Sequence, residues 1–210
     1  MKRTIRSMAF VVLAAAALDG CVLVAGGAAV GGAVVATDRR SVGVQLEDEA
    51  IEGRVHHALD DHIPKNAMSI DVTCYNRKVL LTGLVRTQQM RSDAEAAAAG
   101  SENVLRVVNE LTVGEPASLG DRADDTVLAG KVKTTLLGAD GVPAGVVKTT
   151  VNQGVVYLFG KVTATEGDTA AKAASRVSGV RRVVKLFDLM SDQDLDKLKK
   201  SQEAAPSGSK

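Results

Sequence analysis

The chain has 210 residues, with 26 basic and 25 acidic side chains and a formal net charge of +1. This length suits one large domain or two small ones. The balanced charge argues against a protein that coats nucleic acid, and an aromatic content of 2% without tryptophan argues against base-stacking platforms. Two cysteines are too few for a disulfide scaffold or a four-cysteine zinc site.

The N-terminus has the pattern of an export signal. Lys2, Arg3 and Arg6 form a positively charged start. The apolar run from Met8 to Leu18 is shorter than the ~20 residues that a membrane span needs. Residues 1–20 are therefore predicted to be a signal peptide that the mature protein lacks.

The signal ends in Leu18-Asp19-Gly20-Cys21. This motif resembles the bacterial lipoprotein cleavage box, which implies that Cys21 becomes the acylated first residue. An ordinary secretory signal is the alternative interpretation. Val22 follows, and in the lipoprotein analogy this residue implies sorting to the outer membrane, facing the periplasm. The resemblance implies that this cysteine carries three acyl chains, which would hold the protein at the membrane far more firmly than one chain.

Residues 21–46 are predicted to be a lipidated tether. The stretch from Val22 to Ala36 is uncharged and consists almost entirely of glycine, alanine and valine. We expect a flexible apolar connection. The alternative is a strip of small residues that lies on, or packs in, the membrane interface. Asp38-Arg39-Arg40-Ser41 ends the stretch and marks the way into folded sequence.

The rest of the chain is one unit written twice, with a shift of 77 residues that becomes 76 after the second helix of each copy. Corresponding positions include Asp48 and Asp125, Leu59 and Leu136, Cys74 and Val151, and Gly83 and Gly160. Two copies predict two similar domains rather than a solenoid. Because a core of ~65 residues is marginal by itself, we expect the two domains to pack together.

Each copy is predicted to fold in the order αββαβ. Ile51, Val55 and Leu59 recur every four residues, which indicates one face of a helix, and Asp48 suits the positive end of that helix. Alternating apolar residues then predict a hairpin of two strands. The second helices are expected over Thr87–Ala99 and Glu166–Val177, and the last strands over Val104–Val113 and Val180–Leu189. The fold class is α+β, with two helices on a small three-stranded mixed sheet in each copy.

This pattern resembles the BON domain, the bacterial OsmY-and-nodulation module. The resemblance rests on the helix, the strands ending in Leu-Thr-Gly-Leu-Val and Leu-Phe-Gly-Lys-Val, the second helix, and Gly179-Val-Arg-Arg-Val-Val. With the lipoprotein box and the Thr-Asp-Arg-Arg-Ser segment, the chain is similar to dual BON-domain outer-membrane lipoproteins over about residues 18–190. The predicted organisation is then a signal peptide (1–20), a tether (21–46), a first domain (47–115), a linker (116–123), a second domain (124–190) and a tail (191–210).

The resemblance implies membrane maintenance without catalysis. Such proteins bind anionic phospholipid through the first helix of the second domain, support outer-membrane integrity and gather at division sites. The charge pattern agrees, since residues 47–115 carry a net charge of −5 and residues 124–190 a net charge of +3. We expect lipid contact at Val127, Leu128, Lys131, Lys133 and Thr134, although the family has a tryptophan where this chain has Val127.

The other candidate sites are less specific. His56, His57 and His62 lie near acidic residues, but no set completes a metal shell, and neither a catalytic motif nor a phosphate loop is present, so no cofactor is expected. Cys74 is predicted to be a core side chain.

Two further points stay open at the level of sequence. Tyr157 and Phe159 are predicted to face away from the core of their domain, where they mark either a partner surface or the contact between domains. The alternative function is an envelope adaptor that binds outer-membrane assembly or peptidoglycan-remodelling proteins.

Overall fold

The computed structural model describes residues 38–115 and 119–204. The first domain contains α1 (Val42–His62), β1 (Met68–Tyr75), β2 (Lys78–Val85), α2 (Gln88–Ala99) and β3 (Arg106–Val113). The second contains α3 (Leu119–Leu137), β4 (Lys148–Asn152), β5 (Val155–Phe159), β6 (Lys161–Val162), α4 (Ala164–Ser175), β7 (Arg182–Lys185) and β8 (Asp188–Leu189). A short 3₁₀ turn (Lys65–Ala67) precedes β1, and a last helix, α5 (Asp192–Ala204), follows the second domain.

Both copies have the predicted αββαβ order. In each domain the two hairpin strands are antiparallel, and the strand after the second helix joins parallel to the second hairpin strand, giving the sheet orders β1-β2-β3 and β4-β5-β7. The short β6–β8 pair continues the second sheet beyond Gly160. The α+β fold with two small mixed sheets is thus confirmed.

Helix α1 begins earlier than the sequence pattern indicates. The hydroxyl of Ser41 accepts a hydrogen bond from the backbone N–H of Val44 at 3.3 Å, so Ser41 is the N-cap. Five residues assigned to the tether (42–46) are therefore helical. Asp48 lies well inside this helix rather than at its start, so the expected interaction with the helix end is wrong.

Asp48 instead holds the hairpin turn of the first domain. Its carboxylate is buried and accepts the backbone N–H groups of Asn76 and Arg77, both at 2.7 Å. Both turn residues have positive φ, as a two-residue hairpin turn requires. Asp125 does the same in the second domain, where it accepts the N–H groups of Gln153 and Gly154 at 2.6 and 2.9 Å.

Gly83 is the point of closest approach between the hairpin strands. A Cβ atom built there would lie 1.9 Å from the carbonyl oxygen of Ser69, and its φ is +117°. The corresponding Gly160 would bring a Cβ to 2.7 Å from the carbonyl oxygen of Val146. Only glycine fits this contact, which explains why the repeat has glycine at both positions.

The two sheets pack against each other through the faces that point away from the helices. Tyr75 and Leu80 of the first domain and Tyr157 and Phe159 of the second form one buried cluster. The rings of Tyr75 and Phe159 stack with centroids 6.0 Å apart. Tyr157 and Phe159 therefore belong to the contact between domains, which settles the two interpretations that the sequence left open.

The domain contact resembles an isologous dimer interface within one chain. The hydroxyls of Thr73 and Thr150, which correspond by the 77-residue shift, lie 3.2 Å apart in a hydrogen bond. Ion pairs surround the apolar cluster and join the acidic domain to the basic one. They are Lys78–Asp188 at 3.0 Å, Lys148–Glu52 at 3.2 Å and Arg182–Glu110 at 2.7 Å.

Candidate functional site

Helix α3 covers the sheet of the second domain with one side and faces solvent with the other. Leu128, Val132 and Leu136 are buried in the domain core, as their match to the core positions of the first copy predicts. Among the exposed residues on the opposite side of the helix, five form the surface that we call the outer face of α3. They are Val127, Gly130, Lys131, Thr134 and Leu137.

The outer face combines apolar surface with positive charge. Val127 and Leu137 are 59% and 53% exposed, which is high for apolar side chains. The hydroxyl of Thr134 donates to the carbonyl oxygen of Gly130 at 3.0 Å, so its polar atom already has a partner within the helix. The Thr134 methyl group is then free to add to the apolar surface between the two larger side chains.

Basic side chains accompany this apolar strip. Lys131 lies on the outer face and Lys133 on the adjoining flank of the helix, and both are exposed. Lys172 and Arg176, on and just after α4, add two exposed cations to the same helical layer. None of these four side chains forms an ion pair with the side chains of residues 38–115 and 122–201, and all four are exposed to an external anion.

Two residues change the surface that the sequence analysis named. Leu128 is only 7% exposed and packs in the core, so its side chain offers little surface to a ligand, and the lipid contact expected there stays a prediction. Leu137 was missed, although it follows Thr134 by three residues and Val127 by ten, the helical spacing of one face.

The first domain has the same fold but different chemistry at the corresponding positions. The counterparts of Val127, Gly130, Lys131, Thr134 and Leu137 are Ala50, Gly53, Arg54, His57 and Asp60. Arg54 is engaged by Glu47 at 2.7 Å, and Asp60 by Lys65 at 2.8 Å. The exposed apolar groups and free lysines are thus a property of the second domain alone among these matched positions.

The remaining candidate residues have structural explanations. Cys74 is buried, and its thiol donates to the carboxylate of Asp48 at 3.3 Å; burial, and then the charge of Asp48, raise the pKa of this thiol. His56, His57 and His62 are exposed on α1, and no group of three or more metal-binding side chains occurs in the described part of the chain. No helix among the described residues is long and apolar enough to cross a membrane.

Several predictions from the sequence fall outside the described residues. These are the signal peptide, acylation at Cys21, sorting by Val22, and the tether up to residue 37. Of the predicted tail, residues 192–204 form α5, in which Leu195 and Leu198 are half-buried.

The comparison with known proteins decides the family. A family model described as BON domain matches residues 47–115 and residues 124–190. The chain belongs to the BON-domain family. It is 38% identical over 185 residues to the outer membrane lipoprotein DolP of Haemophilus influenzae, an alignment that covers 87% of this chain and 95% of that protein.

Two other relatives match a smaller share of the chain. The chain is 37% identical to the 21 kDa hemolysin of Actinobacillus pleuropneumoniae, over 72% of this chain and 78% of that protein. It is 34% identical to the osmotically-inducible protein Y of Escherichia coli, over 72% and 77%. None of these three names describes an enzyme.

The two BON domains and these relatives make the chain a dual BON-domain outer-membrane lipoprotein. The predicted localisation, lipid-anchored at the outer membrane, is confirmed by this relationship. The same relationship supports a function related to outer-membrane integrity. The acylated residue and the ligand of the second domain stay predictions.

Proposed function

We propose that the protein faces the periplasm from the outer membrane and binds anionic phospholipid through the outer face of α3. This contact would help to maintain the outer membrane, including at the division site. The observation that carries the proposal is the combination of exposed Val127 and Leu137 with the exposed ammonium of Lys131 on one side of one helix.

The physical argument concerns two contributions to membrane binding. Apolar side chains enter the boundary between headgroups and acyl chains, while the long stem of a lysine lets its ammonium stay among the phosphates. Each well-placed basic residue contributes about 1 kcal/mol at an anionic surface, and salt screens this attraction. The acidic first domain would be repelled, so binding depends on the second domain being turned to the lipid.

A charge reversal tests the electrostatic contribution. Lys131→Glu exchanges an attraction for a repulsion, so affinity for vesicles containing phosphatidylglycerol should fall by about 2 kcal/mol, or ~30-fold, at low salt. The matched control is Arg106→Glu, which changes the net charge equally at an exposed residue of β3. The measurement is co-sedimentation of the mature chain carrying Cys21→Ser, which prevents acylation.

Three results would contradict the proposal. They are equal binding to neutral phosphatidylcholine vesicles, insensitivity to salt, and equal losses for Lys131→Glu and Arg106→Glu. A complementary gain is expected from Val127→Trp, since an indole places its ring and N–H favourably in the headgroup zone. In cells, Lys131→Glu should weaken resistance to detergent, which an intact outer membrane excludes, while Arg106→Glu should not.

A second candidate is a non-enzymatic adaptor for outer-membrane assembly or peptidoglycan-remodelling proteins. A groove between α1 and α2 of the first domain favours it, because small residues form its floor and charges of both signs line it. Arg54, Ala58 and His62 line one side, and Asp93 and Ala96 the other. Vesicle binding by the purified chain without any protein partner distinguishes the first candidate from the second.

A further inference from the structure

Arg39, which precedes the first domain in sequence, is bound by the second domain. Its guanidinium donates to both carboxylate oxygens of Glu166 at 2.6 and 2.7 Å, and to the carbonyl oxygen of Lys161 at 2.9 Å. The two side chains are only 6% and 12% exposed. A two-bond pair of this kind, protected from water, fixes direction as well as distance.

Glu166 is itself held in place. It is the third residue of α4, and it completes a capping box in which its carboxylate accepts the backbone N–H of Thr163 at 2.8 Å. The bond to Arg39, countered by desolvation, holds the pKa of Glu166 below its usual range. Arg39 is therefore joined to the N-terminal end of α4 through a rigid acceptor.

Arg40 fastens the same segment to the first domain. Its guanidinium contacts Asp48 at 2.6 Å and Asp38 at 2.7 Å, and it lies 4.0 Å from the centre of the Tyr75 ring. Consecutive arginines thus bind opposite domains. We call Arg39, Arg40 and their partners Glu166 and Asp48 the clasp.

The clasp lies where the lipid-anchored chain enters the folded body. Sixteen residues separate Cys21 from Asp38. A segment of that length spans at most about 58 Å even when it is fully extended. A compact body of 165 or so residues is about 40 Å across by the usual size scaling. Half the circumference of such a body exceeds that reach, so the point of entry biases which face meets the bilayer.

This entry point lies at a defined end of the second domain. Helix α3 leads through a loop into the start of β4, where Lys148 pairs with Phe159 at the end of β5, and α4 follows β5, so α4 runs back along α3. The N-terminal end of α4, with Glu166, therefore lies toward the C-terminal half of α3. Three residues of the outer face lie in that half, namely Lys131, Thr134 and Leu137.

We infer that Arg39 and Arg40 are positioning residues that direct the second domain toward the membrane by fixing the entry point of the tether at the N-terminal end of α4. The inference rests on the proposed function and deepens it. The clasp makes no lipid contact of its own. When the clasp is lost, the folded domains turn about the start of α1 in the acidic first domain, and the segment that connects them to the anchor becomes longer.

The test compares the depth of matched probes in the acylated, full-length mature protein. Ser175→Cys at the end of α4 and Ala99→Cys at the end of α2 correspond to each other, and both sites are exposed. Buried Cys74 does not compete for a thiol-reactive fluorophore, and acylated Cys21 has no free thiol. Vesicles of phosphatidylethanolamine and phosphatidylglycerol that contain spin-labelled lipid then quench each probe according to its distance from the bilayer.

We expect the Ser175 probe to be quenched more strongly than the Ala99 probe, because the second domain lies closer to the bilayer. Arg39→Gln and Glu166→Gln should each reduce the ratio of quenching at the two probes toward one. Glu166→Gln is informative because a glutamine retains the capping box while it loses the charge. Arg39→Lys, which keeps one ion pair, should restore part of the preference.

A second measurement separates this inference from the proposed function. In the unacylated Cys21→Ser chain, Arg39→Gln should bind the same vesicles as the parent does, because the outer face of α3 is intact. If that chain binds but the quenching ratio in the acylated protein is unchanged by Arg39→Gln, the clasp does not orient the protein. If neither the parent nor the Arg39→Gln chain binds in the unacylated form, while Arg39→Gln still lowers the quenching ratio in the acylated protein, the clasp orients the protein and lipid recognition by α3 is wrong.

Discussion

Removing the carboxylate of Asp48 is expected to be the most damaging single change in the hairpin of the first domain. Asp48 is 2% exposed and accepts two backbone N–H groups, one arginine bond and one thiol bond. The turn that it holds contains Arg77 at φ 64°, a conformation that costs a non-glycine residue about 1 kcal/mol or more. Asp48→Ala leaves this turn without its acceptors and Arg40 with one partner fewer.

The magnitude follows from burial. Water cannot replace the lost acceptor at a site that is 2% exposed, so Asp48→Ala should cost about 4 kcal/mol, within the range for breaking a buried ion pair. Asp125→Ala is the matched variant. Its carboxylate is half-buried, binds only two N–H groups, and supports a turn with glycine at the second position, Gly154. We expect about 2 kcal/mol for it.

The assay is denaturant unfolding of the Cys21→Ser mature chain, followed by far-ultraviolet circular dichroism. The parent, Asp48→Ala and Asp125→Ala are compared at pH 7. Asp48→Asn, which keeps an oxygen acceptor but no charge, should fall between the parent and Asp48→Ala. An equal loss for the two alanine variants, or a larger loss for Asp125→Ala, would refute the argument from burial.

Three further predictions concern the close strand contact, an ion pair and the tyrosines. Gly83→Ala should unfold the first domain or lower its free energy of unfolding by more than about 3 kcal/mol. Gly53→Ala, whose Cβ would meet nothing within 4 Å, should instead stabilise α1 by about 0.5–1 kcal/mol. Comparable melting temperatures for the two variants would contradict this argument. The pKa of Glu166 is depressed in the folded state, so the parent should have a higher free energy of unfolding than Glu166→Gln by an amount that is constant around neutral pH. In unfolding titrations this difference should shrink as pH falls below about 4.3. Burial raises the pKa values of Tyr75 and Tyr157 to about 12. Absorbance titration should therefore show almost no phenolate near pH 10 in the folded chain but half ionisation near pH 10 in denaturant, and the stability that these neutral phenols contribute should be lost as pH rises from 10 toward 12.

Most local structure was predictable because it depends on residues close in sequence. The alternation in β1 and β2 and the four-residue spacing in α1 identified the elements of both copies. The boundaries were less certain, since Ser41 caps α1 before the apolar spacing begins. The sequence also indicated the exposed side of α3 through Val127, Lys131 and Thr134.

The structure changes the candidate surface at two residues whose helical spacing already pointed that way. Leu128 was placed in the lipid surface although its spacing matched the core, and Leu137 was left out although its spacing matched the outer face. Helical spacing assigns residues to a side of the helix, but the extent of burial depends on what the neighbouring loop covers. In this chain the turn at Gly179 closes over Leu128 and leaves Leu137 open.

The amino-acid sequence by itself determined the repeat, the order of elements, the division of charge between the domains and the resemblance to BON lipoproteins. Those features depend on local residue patterns or on the sum of charges over a stretch of sequence. The tertiary structure alone decided that Thr73 meets Thr150, that Tyr157 and Phe159 lie between the sheets, and that Arg39 reaches Glu166 across 127 residues. Such contacts depend on how two folded copies dock, and no period or motif within either copy encodes that arrangement.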